Sequence, residues 1–133
     1  MYYFDYGIFL NKAQMKAVCP GSQPVGTAVL PNYKLAFAGW NRKHRGATAT
    51  LVFNSGERVR GAVYKITEAD QKKLNMAMGA PGLYKQMNVN VFGADDEVYQ
   101  AYTYVMTPGT EAGKPSTEYL TIIQQGYRDW RLF

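Results

Sequence analysis

The segment GATATLVFNSGERVRGAVYKI, residues 46–66, decides the fold class. It contains two runs rich in β-branched and other strand-forming residues, Ala47–Phe53 and Arg58–Ile66. Asn54-Ser55-Gly56-Glu57 stands between the two runs, and Asn, Ser and Gly favour tight turns. The segment therefore predicts a β-hairpin that turns at residues 54–57.

Strand-forming runs also flank this segment on both sides. The clearest of them is Gln86–Val91, in which apolar and polar residues alternate as they do in a half-buried strand. With the hairpin, these runs bring the number of predicted strands to six or seven. The flanking strands are predicted at Tyr2–Tyr6, Val25–Leu30, Tyr33–Ala38, Gln86–Val91 and Val98–Met106.

Three segments carry the signals of helices, namely helical spacing of apolar residues, N-caps and terminating Gly or Pro. The resulting order of strands and helices belongs to the α+β class, and short strands bent at Gly and Pro favour a small barrel. We therefore predict a small mixed or antiparallel β-barrel flanked by about three helices. The helices are predicted at Leu10–Val18, from the Thr67 cap to about Met78, and from the Ser116 cap through Gln125, where Gly126 ends the last one.

The composition is that of one globular domain. The chain has 133 residues, of which 47% are hydrophobic and 19% charged, so we treat residues 1–133 as a single domain. A net charge of +5 favours anionic partners only weakly. The apolar N-terminus lacks a basic leader, and no apolar stretch is long enough to cross a bilayer, so we expect neither a signal peptide nor a membrane partner.

Two residue counts restrict the chemistry. The single cysteine, Cys19, excludes an internal disulfide, and the single histidine, His44, excludes every metal motif that uses two histidines. We therefore expect no metal and no cofactor. The same cysteine usage favours a reducing, cytoplasmic location.

Six short motifs follow one another along nearly the whole chain. They are Tyr6-Gly7-Ile8-Phe9-Leu10, Val18-Cys19-Pro20, Asn32–Phe37, Gly46–Thr50, Val59–Tyr64, and Pro115-Ser116 with Tyr119 and Gly126. In order and spacing they resemble the gamma-glutamylcyclotransferase-like family. This resemblance implies a β-barrel flanked by helices, with a pocket at one barrel end that is lined by the opening loop. It also implies an enzyme that releases 5-oxoproline and an amine from a γ-glutamyl compound.

The chain departs from the family pattern where the chemistry would occur. The family's catalytic glutamate lies in a leucine-aspartate-x-x-glutamate-glycine motif, and the matching segment here is Leu74–Gly79. Met78 stands at the glutamate position, and a thioether is only a weak acceptor that cannot act as an acid or base. In the opening loop, Ile8 and Phe9 replace serine and asparagine. We therefore predict a degenerate enzyme or a module that binds a small amine or γ-glutamyl-like ligand.

Two alternatives stay open. An active enzyme of the same family would need another acid–base group, and Asp5 is the candidate because it directly precedes the opening loop. A nucleic-acid-associated protein would use the basic cluster Arg42–Arg45, although four residues make a small footprint. The residues predicted to contact a ligand are Tyr6, Gly7, Ile8, Phe9, Leu10, Tyr102, Tyr104, Ser116 and Tyr119.

Overall fold

Five strands, three α-helices and one short 3-10 helix make up the part of the chain that the structure, a computed structural model, describes, residues 1–132. The elements in chain order are β1 (Tyr2–Asp5), the 3-10 helix (Ile8–Leu10), α1 (Lys12–Val18), β2 (Gln23–Asn41), β3 (Gly46–Lys65), α2 (Glu68–Met78), β4 (Tyr84–Phe92), β5 (Val98–Met106) and α3 (Thr117–Trp130).

The strands form a closed barrel in the order β1-β3-β2-β4-β5. The short strand β1 closes it, because it pairs antiparallel with β3 and parallel with β5. The seam between β2 and β4 is narrow, with one paired position, Val29 with Phe92. The predicted mixed barrel with three flanking helices is confirmed.

The predicted hairpin at residues 54–57 is wrong. β3 runs through these residues, and the chain reverses instead at residues 42–45, between β2 and β3. Residues 54–57 form a bulge opposite Asn32, where Gly56 has a φ of 87° and its N–H donates to the Asn32 side chain at 3.2 Å. The left-handed backbone that glycine allows is used here to bend a long strand rather than to end it. The barrel therefore has five strands among the described residues, fewer than predicted.

Two separate cores hold the elements together. The first draws residues from all five strands and from α3, and it fills the barrel interior with side chains such as Phe4, Leu51 and Val91. The second lies between the outer barrel wall and the helices α1 and α2, and it includes Tyr3, Met15, Cys19, Leu74 and Tyr104. Because side chains alternate along a strand, Phe4 of β1 belongs to the first core and Tyr3 to the second.

Helix α3 is longer than predicted, because Gly126 lies inside the helix and does not end it. The helix continues to Trp130, and Arg131 adopts the left-handed conformation at its end with a φ of 55°. Gly126 is buried where α3 crosses the opening loop: a Cβ there would lie 2.5 Å from the Asn11 nitrogen and 2.6 Å from the Leu10 Cβ. The glycine is therefore needed for close approach of two backbones rather than for a helix stop.

The aromatic residues after Gly126 belong to the last turn of α3 and its end, residues 127–132. The Trp130 ring packs edge-on against Tyr64 at 5.5 Å, and its Nε1 donates to the Leu10 carbonyl at 2.9 Å. Through the Trp130 hydrogen bond, the end of α3 holds the opening loop in place. Phe133 lies outside the described residues. No helix within residues 1–132 has the length and apolar character to cross a membrane.

The close contact at Gly126 yields a stability prediction. Gly126→Ala is expected to lower the free energy of unfolding by about 1–3 kcal/mol, because the added methyl group overpacks against Leu10 and Asn11. Urea unfolding measured by circular dichroism checks this. The matched control is Gly26→Ala, where a Cβ meets no atom within 4 Å; we expect that substitution to leave stability unchanged or slightly higher. Equal effects at both positions would contradict the packing explanation.

Candidate functional site

A cavity of about 200 Å³ opens beside the opening loop, residues 6–10, at one end of the barrel. Its walls come from the loop, from α1, from the C-terminal turn of α2 and from the turn between β2 and β3. A small inner hollow of about 10 Å³ adjoins it and shares four lining residues. The lining of the main cavity is Ile8, Phe9, Gln14, Val18, Asn41, Lys43, His44, Thr48, Ala77, Met78, Tyr84 and Tyr119.

Met78 and Ile8 lie in the walls of both the cavity and the inner hollow. Met78 is half-buried at the last position of α2, which begins at the Thr67 capping box and ends at Gly79 in the left-handed conformation. Two of the three residue positions that depart from the family pattern, Ile8 and Met78, thus meet in one space. Neither side chain can hold a charge or donate a hydrogen bond.

The rest of the opening loop is held in place by burial of its side chains and by hydrogen bonds. Phe9 is buried in the outer core, and its carbonyl accepts a hydrogen bond from the Tyr64 hydroxyl at 2.7 Å. Leu10 is fully buried, and the Tyr6 hydroxyl donates to the Tyr104 carbonyl. Of the loop residues, Tyr6, Gly7 and Ile8 line the hollow, Ile8 and Phe9 line the main cavity, and Leu10 lines neither.

Tyrosine and threonine hydroxyl groups line the deeper wall. The Tyr84 hydroxyl donates to the Ala49 carbonyl at 2.6 Å and lies 2.7 Å from the Thr48 hydroxyl. The Tyr119 hydroxyl accepts from the Ala49 N–H at 2.9 Å. Burial raises the pKa of Tyr84 to about 12 and raises the pKa of Tyr119 as well. Both groups are therefore neutral at pH 7 and act as fixed hydrogen-bonding groups.

The other predicted contact residues lie in different places. Tyr104 lines the inner hollow, and its hydroxyl donates to the Asn75 Oδ1 atom at 2.6 Å. Tyr102 lines a separate surface cleft with Met1 and Gln71. Ser116 caps α3, accepting from the Tyr119 N–H at 3.1 Å, and it is absent from the lining of the main cavity. Whether any of these groups contacts a ligand stays a prediction.

Asp5 is a buried carboxylate that also lines the inner hollow. Its Oδ1 atom accepts from the Tyr3 hydroxyl, and its Oδ2 atom accepts from the Gly7 N–H at 2.9 Å. Burial raises the pKa of this carboxyl group, while the hydrogen bonds from Tyr3 and from the loop N–H groups act in the opposite direction. Asp5 is the one carboxylate among the described residues that line the hollow.

The basic cluster forms the turn between β2 and β3, and part of it lies at the cavity mouth. Lys43 and His44 are in the cavity lining. The His44 N–H donates to the Asn41 side chain at 3.0 Å, and the His44 ring packs on Tyr119 with the centroids 4.9 Å apart. Burial and the charge of Lys43 lower the pKa of His44, so its ring is neutral at pH 7.

Cys19 lines neither the cavity nor the inner hollow. It is buried in the outer core, and burial raises the pKa of its thiol to about 11. Its Sγ atom lies 3.5 Å from the Asp70 carbonyl, so the thiol is protonated and has a structural role. Within residues 1–132, no three side chains of His, Cys, Asp or Glu come together as a metal site.

Several lining residues were not predicted. Thr48 and Tyr84 lie in strands. The alternation of residues along a strand predicts the face of the sheet on which each side chain lies, but it does not predict the end of the barrel at which the residue lies. Gln14 and Lys43 come to the cavity through the packing of α1 and of the β2–β3 turn. The one sequence signal in this turn is the basic cluster at residues 42–45, and it does not predict a position at the cavity.

Comparison with known proteins agrees with this geometry. The family model described as "Gamma-glutamyl cyclotransferase, AIG2-like" matches residues 3–131. A solved structure named gamma-glutamyl cyclotransferase is 26% identical with a TM-score of 0.94, over 99% of this chain and 80% of that one. An uncharacterized protein from Homo sapiens is 26% identical with a TM-score of 0.93, over 98% and 80%.

A more distant similarity concerns the fold alone. A yeast gamma-glutamyl cyclotransferase specific to glutathione is 15% identical with a TM-score of 0.70, over 96% of this chain and 86% of that one. The curated proteins contain no match to this sequence.

The buried Asp5 carboxylate yields a prediction about pH. Because its pKa is raised in the folded state, the folded protein retains this proton at pH values where the unfolded chain has lost it. The contribution of Asp5 to the free energy of unfolding therefore falls as pH rises above about 3.9, the usual carboxyl value. Urea unfolding of the wild type and of Asp5→Asn across pH 3–8 checks this: the difference, wild type minus variant, should decrease with pH. A difference that increases with pH would contradict it.

Proposed function

We propose that the cavity of this chain, which belongs to the gamma-glutamyl cyclotransferase, AIG2-like family, binds a small γ-glutamyl-type ligand without converting it efficiently. The observation that carries this proposal is the position of Met78 in the wall of the cavity and of its inner hollow. A cavity of about 200 Å³ is also smaller than the roughly 300–1,000 Å³ of drug-sized pockets, which suits a ligand of amino-acid size.

Cyclotransfer requires proton movement in two directions. The α-amine nitrogen of a γ-glutamyl group attacks its own γ-carbonyl carbon, and it must first give up the proton that it carries at neutral pH. The bond from that carbon to the departing nitrogen then breaks, and the leaving amine takes up a proton. One carboxylate with a suitably raised pKa can serve both steps in turn.

Met78 cannot serve either step. Its thioether binds no proton at physiological pH, and loss of a general acid–base group commonly lowers a rate by ~10²- to 10⁴-fold. The apolar Ile8 beside it removes a second polar contact from the same space. Binding needs no proton carrier, and the cavity walls still contain the hydroxyl groups of Tyr84, Tyr119 and Thr48, of which the Tyr119 O–H has no acceptor among its hydrogen bonds described above.

Met78→Glu is expected to create or raise 5-oxoproline release from γ-glutamyl amines by ~10²-fold or more, because glutamate has a similar length and supplies the proton carrier. The assay measures 5-oxoproline formed at pH 7–8. Met76→Glu is the matched control, since Met76 lies on the same helix and is 84% exposed; we expect it to leave the rate unchanged. Rapid turnover by the wild type, with no gain in Met78→Glu, would overturn the proposal.

A second candidate function is supported by Asp5. This carboxylate lies in the hollow beside Met78, and burial raises its pKa in the direction that suits a general acid–base group. In this alternative, the chain is an active enzyme of the same reaction class in which Asp5 replaces the glutamate. Both Asp5 oxygens already accept hydrogen bonds within the protein, which is why we rank this candidate second.

Asp5→Asn separates the two candidates. If Asp5 is the proton carrier, the wild type turns over γ-glutamyl amines and Asp5→Asn loses ~10²- to 10⁴-fold in rate. Met78→Leu, which changes one apolar side chain for another, should then leave the rate within a small factor. Circular dichroism confirms folding of each variant. Under the first candidate, wild type and Asp5→Asn are equally slow, and isothermal titration calorimetry still detects γ-glutamyl ligand binding by the wild type.

A further inference from the structure

A second cleft continues outward from the cavity mouth. It has a volume of about 440 Å³, and its lining includes Gln14, Lys43, His44, Arg45 and Glu118. Gln14, Lys43, His44 and Tyr119 line both spaces, so a ligand bound in the cavity can extend into the cleft without leaving these contacts.

The turn that borders this cleft is held in place. The hydrogen bond from the His44 N–H to Asn41 and the packing of the His44 ring on Tyr119 tie residues 41–44 to the cavity wall. Tyr119 is itself fixed by the Ala49 N–H. Lys43 therefore emerges from an anchored turn at the boundary between cavity and cleft.

The charges at this boundary are unbalanced. Among the described residues, the cavity lining contains Lys43 and no Asp or Glu. The cleft adds the cation Arg45 and the anion Glu118. Because the His44 ring is neutral at pH 7, the two spaces together hold two cations and one anion.

From this arrangement we infer that the site selects γ-glutamyl ligands whose distal part carries an additional carboxylate. The inference rests on the proposed function, since it requires a γ-glutamyl unit in the cavity. With that unit inside, the group attached to its γ-nitrogen lies at Lys43 and Arg45, where its α-carboxylate and one further carboxylate can each face a cation. The ligand class is thus the acidic γ-glutamyl peptides, with γ-glutamyl-glutamate as the simplest member.

Binding of three peptides of similar size tests the inference. γ-Glutamyl-glutamate, γ-glutamyl-glutamine and γ-glutamyl-lysine differ mainly in the charge of the distal side chain. We expect the wild type to bind γ-glutamyl-glutamate about three- to ten-fold more tightly than γ-glutamyl-glutamine, and γ-glutamyl-lysine most weakly, since partly exposed charge pairs give modest gains. Isothermal titration calorimetry at low ionic strength measures the three dissociation constants.

Charge-reversal variants assign the effect to Lys43. Lys43→Glu should invert the order of the three peptides, while Glu118→Gln should strengthen binding of γ-glutamyl-glutamate. Arg42→Glu is the matched control, because Arg42 belongs to the same turn and makes the same change in net charge, but lies outside both linings. We expect it to keep the wild-type order.

Each other outcome overturns the inference in a distinct way. Equal affinities of the wild type for the three peptides overturn the charge selection and leave the proposed function standing. Absence of binding by all three overturns both. Equal affinities together with salt-dependent retention on double-stranded DNA, lost alike in Arg42→Glu and Lys43→Glu, assign the turn to nucleic-acid phosphates instead.

Discussion

The four-residue strand β1 completes the barrel, and the position of the opening loop follows from this closure. β1 pairs with β3 on one side and with β5 on the other, so its backbone is enclosed between two neighbours. The approach to β3 is so close that a Cβ at Gly61 would lie 2.3 Å from the Asp5 carbonyl oxygen. Because the opening loop follows β1 directly, this closure also fixes where the loop, and hence the cavity, lies.

Features set by neighbouring residues were predictable from the sequence, and features set by distant contacts were not. Thr67 and Ser116 cap their helices as predicted, since a cap is formed within one helical turn. The turn residues at 54–57 and the glycine at 126 were misinterpreted. A glycine can end a strand or helix, or it can allow a bend or a close contact with a distant segment, and the local sequence is the same in each case. Gly56 allows the bend in β3, and Gly126 allows α3 to cross the opening loop.

The same distinction applies to the site. The family motifs mark the positions of Met78 and Ile8, and the structure places both in the wall of one cavity. Thr48 and Tyr84 have no such motif, and they reach the cavity because the strands that carry them, β3 and β4, both begin at the same end of the barrel. Asp5 was identified from its place beside the loop, but its hydrogen bonds to Tyr3 and Gly7 depend on a backbone path that no local pattern specifies.

The narrow seam between β2 and β4 has a consequence for the motions of the molecule. Every other junction of the barrel has at least two paired positions, whereas this one has Val29 with Phe92 alone. A cylinder with one weakly bonded line opens along that line before it opens elsewhere. We therefore expect thermal opening of the barrel to begin at this seam rather than between β2 and β3, which pair along most of their length.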